Sequence, residues 1–169
     1  ALQYYHIQNR DYRILPLLTG SLHENMGDGS PSPVERQEVY EFIDALARLI
    51  RGHDGRICII ASVDLSHVGL KFGGENEIND ETAESVRIAD DQMLRQIEIS
   101  DPEGFFKTFR ADQNARNVDA VTAVYVLLHV MNRLDGQCDE TRRVDRIDYQ
   151  QWRESETGSM VSYASLALY

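Results

Sequence analysis

The chain has little of what marks nucleotide-binding, nucleic-acid-binding or disulfide-stapled proteins. Its two cysteines, Cys58 and Cys138, are far apart in sequence and form no Cys-x-x-Cys pair. Zinc of the finger type and a disulfide framework are therefore not expected, and a reducing cytoplasmic setting is. Lys and Arg number 17 against 28 Asp and Glu, for a net charge of −11. That is too little positive charge to neutralise phosphates, so neither nucleic acid nor an anionic membrane is an expected partner. The longest apolar stretch, Val118 to Met131, carries Asp119 and His129 and falls short of the ~20 residues that a membrane span needs. No G-x-G-x-x-G, P-loop, H-E-x-x-H or G-x-S-x-G occurs, which removes the usual dinucleotide, phosphate-loop, zincin and hydrolase-elbow readings.

What is present suits one α/β domain over residues 1–169, since a chain of this length can enclose a single core. Tyr12 to Leu18 is rich in aliphatic residues and reads as a strand, with Pro16 marking an irregular or edge position. Ser32-Pro33-Val34-Glu35 is a helix start of the capping-box kind, and Val39, Phe42, Ile43, Leu46 and Ile50 follow at helical spacing before Gly52. A second helix is expected from Asp80, a third from Asp101-Pro102 to about Arg110, and a fourth from about Asp119 to Leu134. Arg142 to Tyr149 and Met160 to Tyr169 read as closing strands on either side of a polar loop. The order predicts a three-layer α/β/α arrangement with a mixed, largely parallel sheet.

The most informative segment runs from Ile57 to Gly69. The continuous apolar run Ile57 to Ala61 predicts a strand buried on both faces, with Cys58 a small core residue. The run ends in small and polar residues and delivers Asp64, Ser66 and His67 within four positions. Ligands of open α/β sheets bind beyond the carboxyl ends of the strands, so an acid and an imidazole are expected there together in one pocket. A turn-capping aspartate beside a surface histidine is the alternative.

Three stretches carry a resemblance. Tyr12 to Leu22 (YRILPLLTGSL) looks like the IxPxLxGxL strand of the Memo-like family, Ser62 to Gly69 (SVDLSHVG) resembles its SSDxxHxG signature, and Val161 to Leu168 is similar to its terminal VxYAAxAL strand. Memo-like proteins in turn resemble the class III extradiol dioxygenases, non-haem iron enzymes that cleave catechol rings. The resemblance implies that His67 acts as an acid or base beside a metal and that Asp64 orients it or holds the loop. It also implies that the chain corresponds to a C-terminal portion of a larger fold, whose histidine ligands lie elsewhere. Setting the family pattern CGxxPIxxLL on Leu127-Leu128 places Asp119 where the family has cysteine. Asp119 would then be the third, carboxylate ligand of a two-histidine-one-carboxylate centre; as a residue at a helix start it needs no such role.

The implied function is a metal-dependent oxidoreductase, using iron or another divalent metal in a full-length protein and holding none tightly in this chain alone. The alternative on the same fold is a non-catalytic protein that binds a peptide or small molecule. Association with an absent N-terminal half, or with further copies of the chain, is the expected quaternary behaviour. His129 lies mid-helix and reads as partly buried or superficial, while His6, His23 and His53 stand in polar surroundings. Arg110 and Arg116 flank Asp119 and could attract an anion, although solvated surface arginines are the commoner case.

Overall fold

A computed structural model describes residues 13–27, 29–135 and 143–169. Four α-helices and a three-stranded antiparallel sheet are formed among them: α1 (Gln37–Arg51), β1 (His67–Gly69), α2 (Asp80–Glu98), α3 (Pro102–Arg110), α4 (Val121–Asp135), β2 (Val144–Glu154) and β3 (Ser159–Leu168). His6 and Cys138 lie outside the described residues.

The helix signals act where the sequence puts them. The Ser32 backbone N–H donates to Oε1 of Glu35 at 2.9 Å, closing a capping box on a short 3-10 turn that leads into α1. Asn79 caps α2 by accepting the Thr82 N–H, and Asp101 caps α3 by accepting the Gly104 N–H. Gly52 ends α1. Each helix then buries one stripe. Ile43 and Ala47 of α1 pack on Val126 and Val130 of α4. The larger cluster joins Met93, Leu94 and Ile97 of α2 to Phe105, Phe106 and Phe109 of α3 and to Tyr125 and Leu128 of α4. Removing each phenylalanine from water stabilises the fold by about 1.5–3 kcal/mol.

The sheet order is β1-β3-β2, antiparallel at both contacts. The polar loop expected from Gln150 to Ser159 is shorter than that, because β2 continues to Glu154 and a tight turn leads into β3. One extra residue, Ile147, bulges β2 between Arg146 and Asp148. Met160 packs on Ala83 and Val86 of α2, and Tyr149, Ala164 and Leu166 reach the main cluster.

The expected three-layer arrangement with a largely parallel sheet is not what the described residues form. Residues 13–18 and 56–63 enter no ladder. A strand buried on both faces needs a neighbour on each edge and a layer above and below, and the described chain does not supply them. The pairing that forms is local: a hairpin, whose short turn closes at little entropic cost, and a three-residue strand laid against it. Cys58, expected in the core, is exposed.

Candidate functional site

The loop between residues 63 and 70 is held in place before any question of chemistry arises. Leu65 N–H donates to Ser162 O at 2.9 Å, Ser162 N–H donates to Ser66 O at 3.0 Å, and the β1 register sets His67 opposite Val161 and Gly69 opposite Ser159. Leu65 and Ser66 are buried, while Asp64 and His67 are only partly covered. Gly69 has φ +106°, and a Cβ there would lie 2.5 Å from Gly158 O and 2.6 Å from Ser159 Cα, so only glycine fits.

The facing wall comes from the loop between α3 and α4. Gln113, Asn114 and Asn117 adopt left-handed backbone conformations, which asparagine tolerates better than most residues. Asn117 donates from Nδ2 to the carbonyls of His67 at 3.2 Å and Phe72 at 3.3 Å. The His67 N–H donates to Arg116 O at 2.7 Å.

His67, Asp64 and Asp119 come together between these loops. Nδ1 of His67 lies 3.0 Å from Asn117 O and 3.1 Å from Leu65 O. Both partners are carbonyls, which only accept, so Nδ1 carries a hydrogen and Nε2 is left to face the Asp64 carboxylate. Nε2 lies 3.3 Å from Oδ2 of Asp64, whose own N–H donates to Oδ1 of Asp119 at 3.3 Å. Asp119 stands two residues before α4. Burial raises its carboxyl above the usual range, the nearby Asp64 adds to the rise, and the His67 charge works against it. The edge of Phe72 meets the imidazole, ring centroids 5.0 Å apart.

A cavity of about 420 Å³ opens beside His67, lined also by Phe72, Asn76, Glu77, Thr82 and Asn117. Asp64 and Asp119 are not among its lining residues, so the expected shared pocket holds the imidazole and not the two carboxylates.

Asp90 of α2, Arg116, Tyr149 and Ser162 complete the surroundings. Arg116 is not a solvated anion trap, because its Nη1 lies 2.6 Å from Oδ1 of Asp90, with only 12% of the arginine side chain exposed and none of the aspartate's. Sequence reasoning passed over Asp90, although it falls at helical spacing between Val86 and the Met93–Leu94–Ile97 face. Away from the site, His129 is half-buried and bonds Glu103, while His23 and His53 are exposed.

A two-histidine-one-carboxylate metal centre needs two imidazoles and a carboxylate converging on one point. Among the described residues no group of three His, Cys, Asp or Glu side chains is arranged to hold a metal. Asp64 and Asp119 offer carboxylates, but both nitrogens of His67 are engaged by carbonyls and by Asp64. The described residues alone do not fit such a centre. No helix among them is long and apolar enough to cross a membrane.

Comparison with known proteins completes the picture. A MEMO1 family protein of Aquifex aeolicus (strain VF5) is 29% identical over 111 residues, which is 66% of this chain and 27% of that relative's length. The matched stretch thus spans about a quarter of the relative. The family of Memo-like proteins matches residues 2–167, a range that does not bear out a correspondence to a C-terminal portion alone. With the match running along nearly all of its residues, the chain belongs to the Memo-like protein family.

Proposed function

We propose that His67 is the proton-transfer group of a Memo-like oxidoreductase of the extradiol-dioxygenase kind, with Asp64 orienting it and Asp119 tuning the charge beside it. The observation that carries this reading is the fixed Nδ1–H: two carbonyls hold it, and Nε2 is left as the exchanging nitrogen beside a carboxylate. An imidazole suits proton transfer near neutral pH. Iron or another divalent metal belongs to the proposal through the family resemblance: Asp119 is the one carboxylate this chain would contribute, and the other ligands would have to come from outside the described residues.

The test is turnover. A full-length Memo-like protein that contains this chain is incubated with catechols in air, with and without added ferrous iron, and ring opening is followed by absorbance. His67→Ala is expected to abolish ring opening and Asp64→Asn to lower it by about 100-fold, the lower end of a lost acid–base contribution. Turnover unchanged in His67→Ala would overturn the proposal.

A second reading, non-catalytic binding of a small molecule or peptide, is favoured by one observation: His67 lines the cavity while the two carboxylates do not. Binding of catechols that shifts the resonances of Phe72, Asn76 and Thr82 without any turnover would select it.

A further inference from the structure

We infer that Asp90 is the positioning residue of the His67 centre: through Ser66 and Arg116 it fixes the two loops that hold the imidazole in one tautomer. The inference rests on the reading of His67 given above. Asp90 is fully buried, where an unpaired carboxylate would be strongly disfavoured. Four donors from four separate segments satisfy it. Oδ1 accepts from Ser66 Oγ at 2.6 Å and from Arg116 Nη1 at 2.6 Å. Oδ2 accepts from Ser162 Oγ at 2.5 Å and from Tyr149 OH at 2.9 Å.

A buried ion pair is by itself weak evidence of purpose, since well-packed apolar residues often serve stability as well. Here the places of the partners decide the matter. Ser66 immediately precedes His67. Arg116 supplies the carbonyl that takes the His67 N–H, and the next carbonyl along the chain takes Nδ1–H. Arg116 Nη1 also donates to Ser66 Oγ at 3.0 Å, closing a triangle between the two loops and Asp90. If the guanidinium swung away it would leave the buried carboxylate unpaired, so the 116–117 backbone stays where the imidazole meets it. The Oδ1 side of Asp90 thus serves the centre directly; on the Oδ2 side Ser162 Oγ also accepts the Ser66 N–H at 3.0 Å, while Tyr149 ties Asp90 to the sheet alone.

The experiment reads the His67 ring nitrogens in the full chain by long-range proton–nitrogen correlation, at a pH where the ring is neutral, with His67→Gln for assignment. The native protein should show the Nδ1–H form. Asp90→Asn, which keeps the shape and removes the charge, and Ser66→Ala should each shift the population toward the Nε2–H form that an unconstrained imidazole favours. Tyr149→Phe removes a donor on the Oδ2 side; it should lower the thermal midpoint and leave the tautomer alone. Retention of Nδ1–H in Asp90→Asn and Ser66→Ala would overturn the inference, as would an equal shift in Tyr149→Phe. If Asp90→Asn does not fold, Ser66→Ala decides. A tautomer shift combined with full turnover in His67→Ala would leave positioning intact and remove the proton-transfer reading. Lost turnover in His67→Ala with an unmoved tautomer in Asp90→Asn would do the reverse.

Discussion

Asn117 grips His67 twice: its carbonyl oxygen stands 3.0 Å from the ring Nδ1, and its side-chain amide reaches the His67 carbonyl at 3.2 Å. The same amide also bonds Phe72 O. Asn117→Gly keeps the left-handed backbone available but removes both side-chain bonds. A loss of about 1–3 kcal/mol is expected in urea unfolding, at the usual net worth of a hydrogen bond. An unchanged midpoint would mean that the loop is held by its backbone alone.

Asp119 gives the site a pH signature. Its folded carboxyl takes up a proton more readily than the ordinary value of 3.8, so the stability it contributes is complete below that value. It is lost as pH rises through the raised one. Asp119→Asn removes this loss. The variant should therefore gain on the native protein between weak acid and neutrality and converge with it in strong acid. Thermal midpoints across that range are the check, and a variant less stable at neutral pH would contradict it.

Glu103 and His129 carry the opposite sign. Burial and the Glu103 charge pull His129 in opposite directions, and burial wins, leaving it below the ordinary 6.5. Burial pushes Glu103 up, but hydrogen bonds from Ser32 and Tyr125 and the charge of His129 outweigh it and leave it below 4.5. Both groups bind protons less readily when folded. Their contribution is complete above the ordinary histidine value and is lost as pH falls through the depressed ones. Glu103→Gln should flatten the lower part of the acid unfolding curve and His129→Gln the upper part. Curves that overlay the native one would count against these assignments.

Gly69→Ala should cost about 3 kcal/mol or more, since it adds a clash with the Gly158–Ser159 backbone to an already left-handed φ. A drop in thermal midpoint with loss of protection at the Val68 and Val161 amides is expected. Native stability in the alanine variant would mean that β1 is free to shift.

Ile14, Leu15, Leu17 and Leu18, with Ile57, Ile59, Ile60 and Val63, are all well exposed. Exposed apolar surface in such quantity binds hydrophobic dyes and drives association. Fluorescence of an anilinonaphthalene dye should rise on adding the chain at neutral pH, and Leu15→Ser with Ile60→Ser should reduce the rise. No enhancement by the unsubstituted chain would mean that this surface is covered in solution.

The helices were the most legible part of the sequence, because their start signals are local: Ser32 and Asp101 each act within a turn of where they stand. The strands at 13–18 and 56–63 were not, because an apolar run states that a segment wants burial and says nothing of what supplies it. At the site, the spacing of Asp64 and His67 announced a loop, whereas Asp119 was set beside them only through the family resemblance, since a carboxylate at a helix start needs no such neighbour. Asp90 stayed hidden because a charge on an apolar helix face declares its purpose only when its four partners, drawn from distant segments, are seen together.

The turn between β2 and β3 has a consequence for anyone altering this protein. Gly158 presses its carbonyl toward Gly69, and a Cβ on it would meet the Glu77 side chain, itself on the cavity wall. The hairpin tip therefore packs directly against two residues that line the cavity beside His67, Gly69 and Glu77. Epitope tags, loop grafts or fluorophores placed between Ser155 and Ser159 would disturb the packing on Gly69 and Glu77 beside the cavity, and the far end of the hairpin, near Val144 and Leu168, is the safer place to attach them.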